Sequence, residues 1–140
     1  MEKMIHPVRE AERYLANAMA LLTEKAGKDG RYYSDSKYVR MAGNTAWNGV
    51  LIALDGALGV YAGLKRKQRP EFKDYQAAVA KRDKRMCRPL LNAYELLHKS
   101  LGYDGVTNYR VVQESMGLAR EILDWAEGYC RSDSEQEQPK

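Results

Sequence analysis

The sequence predicts an all-α protein: an antiparallel up-and-down four-helix bundle whose third helix is kinked or broken near Pro89. Three observations carry this. Apolar side chains recur three and four residues apart through long segments, the spacing that gathers them on one side of a helix. Glycine clusters fall between those segments, at Gly27 and Gly30 and again at Gly102 and Gly105, where they punctuate instead of interrupting. Four prolines and one phenylalanine in 140 residues are a poor supply for a turn-rich β-sandwich. Short connections between long helices make neighbours antiparallel.

The first helix is expected from His6 to about Ala26. Pro7 suits a first helical turn, where its missing N–H costs nothing. Ala11, Tyr14, Leu15, Ala18, Leu21 and Leu22 keep the helical rhythm, and Gly27 stops it. The second starts near Ser34 or Asp35, either able to cap free N–H groups, and reaches about Ala62. Its apolar faces (Tyr38, Met41, Ala42, Thr45, Ala46, Ala53 and Val60; Trp47, Val50, Leu54, Leu58 and Tyr61) wrap most of its circumference. A helix so broadly apolar is buried by several neighbours. It is therefore the expected central element, with Gly43, Gly49, Gly56 and Gly59 permitting close approach.

The third helix opens around Pro70 and Glu71 and places Phe72, Tyr75, Val79, Met86, Leu90, Ala93, Tyr94, Leu97 and Leu101 on one side. Pro89 sits inside that pattern, removes a backbone hydrogen bond and clashes with the carbonyl of Arg85. The fourth runs from Thr107 or Asn108 to Tyr129, with Tyr109, Val112, Met116, Ala119, Leu123 and Ala126 inward. From Arg131 on, no apolar residue anchors the chain, which predicts one domain over 1–130 and a disordered polar tail over 131–140.

Composition narrows the function classes. No apolar run approaches the roughly 18 residues of a membrane span. Cys87 and Cys130 stand alone, away from histidine, as reduced thiols of an unexported chain do, which points to the cytoplasm. No motif calls for a cofactor or a metal. The net charge of +4 is unevenly spread: between Lys65 and Arg88, ten basic residues face three acidic ones, giving +7.

That basic segment is the first candidate site. Lys65, Arg66, Lys67 and Arg69, with Lys81, Lys84, Arg85 and Arg88, form a positive surface of the kind that displaces counterions from nucleic acid. The alternative is the ordinary solvated face of an amphipathic helix; Phe72 and Tyr75 fall on the apolar side, away from a stacking role. The second candidate is the polar stripe of the second helix, Arg40, Asn44, Asn48 and Asp55, lining a cleft or an interface or simply facing water. Asp83 falls on the apolar side of the third helix and needs a cation, with Arg40 one possibility. His98 is expected at the surface near a helix end. An enzymatic reading requires Arg110, Tyr103, Asp104 and His98 to converge.

The order of motifs carries a resemblance. An Ala-rich first helix precedes Tyr38-Val39-Arg40-Met41-Ala42 and Ala46-Trp47-Asn48-Gly49-Val50-Leu51-Ile52-Ala53-Leu54-Asp55; later come Ala93-Tyr94-Glu95-Leu96-Leu97-His98 and Gly102-Tyr103-Asp104-Gly105. Over about residues 8–128 this resembles a small bacterial family of unknown function and, more distantly, the HEPN superfamily of helical domains. The HEPN resemblance implies a dimer and, in nuclease members, an Arg-x4-6-His motif near the start of the last helix. Arg110 stands there, but no histidine follows it. The resemblance therefore implies a non-catalytic member; with the apolar breadth of the second and fourth helices, the expected function is a homodimeric protein-interaction module, and the basic 65–88 surface makes RNA or nucleotide binding the alternative.

Overall fold

The computed structural model describes residues 7–60 and 69–137. Helix α1 covers Pro7–Ala20 and continues as a π-helical turn over Leu21–Ala26. Thr23 Oγ1 donates to the Met19 carbonyl at 3.1 Å. A short antiparallel hairpin follows, β1 (Lys28–Asp29) and β2 (Tyr32–Tyr33). Helix α2 spans Ser36–Leu58, α3 Phe72–Arg82, and α4 Cys87–Ala93, the last prolonged by a π-helical stretch over Tyr94–Leu101. Helix α5 runs Tyr109–Glu137. The all-α expectation holds, with five helices because the third rod is two.

Each boundary has a local cause. Asp35 caps α2, its carboxylate accepting from the Lys37 N–H at 3.0 Å. Gly59 ends α2 in the left-handed region (φ 64°), returning its N–H to the Asp55 carbonyl at 2.8 Å. The second helix thus stops before the expected Ala62, and Tyr61, Lys65, Arg66 and Lys67 lie outside the described residues. Glu71 and Asp74 form a reciprocal capping box at the start of α3. Asn108 caps α5, accepting from the Val111 N–H at 3.1 Å.

The third rod breaks at Asp83, six residues ahead of Pro89, and recovers through a 3₁₀ turn at Lys84–Met86. Restarting there puts Pro89 in the first turn of α4, where N–H groups have no intrahelical acceptor to lose. At the other end of the chain, α5 continues to Glu137, past Arg131 where the polar tail was expected to begin. Neither glycine nor proline occurs between Tyr129 and Glu137 to stop the helix.

Helix α2 packs against α1, α3, α5 and the Tyr94–Leu101 segment, so it is the central element. Close approach is needed at Gly43, where a Cβ would meet the Leu101 Cβ at 2.5 Å and the Leu97 carbonyl oxygen at 2.7 Å. Gly49 and Gly56 likewise lie against α1, whereas Gly59 serves as the cap. The core is aliphatic: Leu22, Leu54, Leu90, Leu97, Leu101, Ile122 and Leu123 are almost completely buried. Buried Ser115 is satisfied within its own helix, Oγ donating to the Val111 carbonyl at 2.7 Å. Two residues read as inward are not: Met41 is 45% exposed and Tyr109 36%. Met41 falls on the exposed stripe of α2 with Lys37, Asn44 and Asn48, while Val39 and Ala42 beside it are buried, and Tyr109 is the first residue of α5.

Candidate functional site

The polar stripe of α2 divides into two places. Asn44 reaches the turn after the third rod, its Nδ2 donating to the Gly102 carbonyl at 3.3 Å. Arg40 lies over Gly105, whose positive φ of 66° and missing Cβ make room for it. Asn48 and Asp55 instead line a cleft of about 410 Å³ with Pro7, Tyr14, Ile52 and Tyr75. Arg40 and Asn44 thus pin a turn while Asn48 and Asp55 border an open depression. The stripe is not one site.

Arg69, Lys81, Lys84, Arg85 and Arg88 are all exposed, as a basic surface requires. One of them is engaged. Arg85 grips Asp83 through Nε at 3.1 Å and Nη2 at 3.3 Å, and its guanidinium holds the Asp83 carboxyl below the usual carboxylate range. The same pairing raises the Arg85 pKa. The expected ion pair of Asp83 therefore exists, but its cation is Arg85, two residues on, and not Arg40. Trp125 Nε1 adds a bond to Asp83 Oδ2 at 3.2 Å.

His98 is exposed and closes a column of rings. Phe72 stacks on Tyr94 with centroids 4.0 Å apart, Tyr94 on His98 at 5.4 Å, and Trp47 meets Tyr94 edge-on at 5.6 Å. A shallow hollow of about 360 Å³ beside it is lined by Tyr94, His98, Lys99, Tyr103 and Asp104. Arg110 lines a different hollow, with Arg31, Asn108 and Tyr109. The four groups of the enzymatic reading therefore do not share one cavity. Among the described residues, no three His, Cys, Asp or Glu side chains gather as metal ligands, and no helix is long and apolar enough to cross a membrane.

One feature escaped the periodicity. The exposed large apolar side chains of the described residues are Tyr32, Met41, Tyr103 and Tyr109, at 54, 45, 80 and 36% exposure. All four sit at one end of the bundle. There main-chain bonds tie the hairpin to the start of α5, while the side chains of Arg40 and Asn44 hold the start of α2 to the 102–105 turn. The Tyr33 N–H donates to the Thr107 carbonyl and the Tyr109 N–H to that of Arg31, both at 2.8 Å. Beneath this end Tyr33 is buried, its hydroxyl accepting from Gln113 Nε2 at 2.8 Å, and burial raises its pKa. Lys28 lies 3.9 Å from the centroid of the Tyr109 ring. The Gly102-Tyr103-Asp104-Gly105 string was a legible signal for an exposed Tyr103. Nothing local flagged Tyr32 or Met41.

Fold and surface together define a small, single-bundle all-α protein with a tyrosine-rich end. The chain belongs to the DUF5618 family, a domain of unknown function, whose model matches residues 6–128. It is similar to a solved protein of unknown function from Dyadobacter fermentans, with 43% identity and a TM-score of 0.79, over 86% of this chain and 94% of that one. No curated protein matches it.

Proposed function

We propose that the chain is a non-catalytic, HEPN-like interaction module of the cytoplasm, homodimeric, which docks a protein partner. The clustering of Tyr32, Met41, Tyr103 and Tyr109 at one end carries this reading. Tyrosine and methionine are enriched at protein interfaces because they bury much area while keeping a polar or adaptable tip. Exposed apolar side chains scattered singly need no explanation; gathered on one end, they mark a contact surface. The sequence itself supports the non-catalytic part, since no histidine follows Arg110.

The test is two-part. Light scattering at tens of micromolar returns twice the mass of one chain; a monodisperse monomer overturns the homodimer. Crosslinking from a photoreactive residue at position 103 captures one discrete partner protein, and Tyr32→Ser with Tyr109→Ser abolishes the capture. Capture that survives those substitutions overturns the tyrosine-rich end as the docking surface.

A second reading has its own support. Arg69, Lys81, Lys84 and Arg88 are exposed and, among the described residues, make no ion pair, so their charge is available to a phosphate backbone. Binding of mixed RNA that falls with salt and disappears when Lys84, Arg85 and Arg88 become glutamate is the expected result. No binding at low salt ends it.

A further inference from the structure

A hollow of about 470 Å³ opens at the tyrosine-rich end, lined by Arg31, Asn108, Tyr109 and Arg110. The backbone builds it from two distant pieces of chain. Tyr32 bridges Asn108 in antiparallel fashion, and the Tyr109 N–H donates to the Arg31 carbonyl at 2.8 Å. The hairpin thereby delivers Arg31 to the start of α5, where Arg110 stands. The lining holds two guanidiniums, a phenol and an amide, and no carboxylate. Asn108 gives its oxygen to the Val111 N–H, which leaves its amide group as a donor.

Arg31 and Arg110 are exposed, and among the described residues neither pairs with a carboxylate. The same holds for Lys28, Lys37 and Arg40 at this end. Against them stand Asp29, Asp35 and Asp104, of which Asp35 is engaged in capping α2. Glu114, one turn along α5 from Arg110, lines a different groove. Outside Lys65–Arg88 the chain is net acidic, so this gathering of cations is a local excess.

The rings at this end are poorly disposed for stacking bases. Lys28 lies 3.9 Å from the Tyr109 centroid, and Tyr33 packs on the same ring at 5.5 Å. Lys37 lies 4.6 Å from the centroid of Tyr38. A single strand of nucleic acid gains from open aromatic faces, and Met41 offers none. A protein segment instead gains from apolar contact beside charge pairing, which Tyr32, Met41 and Tyr103 supply.

We propose that the segment docking on this end is acidic, with one carboxylate seated in the hollow between Arg31 and Arg110. A guanidinium meets a carboxylate with two parallel N–H bonds, so a pair of them fixes where that side chain sits. Lys28, Lys37 and Arg40 then attract the flanking acidic residues. This rests on the tyrosine-rich end as the docking surface and adds to it the charge and the anchor of what docks.

The experiment selects peptides from a random display library on the full chain and measures their affinity by fluorescence anisotropy. The enriched peptides carry aspartate or glutamate next to apolar residues. Arg31→Glu with Arg110→Glu weakens their binding about tenfold or more, and Arg31→Gln with Arg110→Gln weakens it less. Circular dichroism shows both variants helical. Lys84→Glu, Arg85→Glu and Arg88→Glu leave the affinity unchanged, which separates the hollow from the other basic surface. If the enriched peptides are neutral or basic, and Tyr32→Ser with Tyr109→Ser abolishes their binding, the end docks a protein but the acidic anchor is wrong. If acidic peptides bind regardless of the tyrosine and arginine substitutions, or nothing is enriched, both readings of this end fall. If oligouridylate binds more tightly than any selected peptide and is lost with Arg31→Glu and Arg110→Glu, the end is a nucleic-acid surface and the proposal is overturned.

Discussion

Trp125 donates its indole N–H to the carboxylate of Asp83 at 3.2 Å, a bond between residues 42 positions apart that fastens the break in the third rod to the last helix. The same carboxylate caps the 3₁₀ turn, accepting from the Arg85 N–H at 3.0 Å. Asp83 thus ends one helix, starts the next and holds both against α5. Asp83→Ala should lower the denaturant midpoint and red-shift tryptophan emission together, as the indole loses its partner.

The pH dependence of that contact follows from its sign. The Arg85 hydrogen bond depresses the folded pKa of Asp83, so its contribution is complete above the unfolded value near 3.8 and is lost as pH falls through the lower folded value. Urea midpoints measured from pH 6 down to pH 2 should fall less steeply for Asp83→Asn than for the original chain. Parallel curves would show that the pairing contributes nothing.

Glu12 of α1 and Arg120 of α5 meet at 3.1 Å with side chains 31% and 43% exposed. The Arg120 hydrogen bond lowers the Glu12 pKa. For a half-exposed pair the expected coupling is about 0.2–1 kcal/mol. A double-mutant cycle with Glu12→Gln and Arg120→Met checks it, and added salt should shrink it.

The glycines of α2 and α5 should respond in opposite directions. Gly43→Ala forces a Cβ against Leu101 and the Leu97 carbonyl, an overpacking that costs about 1–3 kcal/mol. Gly128→Ala meets nothing within 4 Å and replaces a flexible residue inside a helix, so it should stabilise by about 0.5–1 kcal/mol. Chemical denaturation of both variants reads the contrast.

Asn108→Ala removes the oxygen that accepts from the Val111 N–H and should cost about 1 kcal/mol. At the same end, burial raises the pKa of Tyr33. Its contribution is complete below the unfolded value near 10 and is lost as pH rises through the folded one. Stability measured from pH 8 to 11 should therefore decline less for Tyr33→Phe.

Much of this protein was settled by the sequence alone. Three-and-four spacing of Leu, Ala and Val made the helices, because a coil at that period presents one continuous apolar face that only another helix covers. Asp35, Glu71 and Asn108 marked their starts and Gly27 its stop, since these are backbone demands met by single residues. The breadth of apolar surface on α2 made it central. Tertiary structure decided what depends on neighbours distant in the chain. Arg40 was drawn to the Gly105 turn and Asp83 to Arg85 and Trp125, choices set by reach in three dimensions. Met41 and Tyr109 keep the helical period yet face water, because a broadly apolar helix does not say which of its sides the neighbours will cover: Met41 shares the open stripe of α2 with Asn44 and Asn48, while Val39 and Ala42 beside it are buried. For the same reason no spacing in the chain announced that four large apolar side chains would meet at one end.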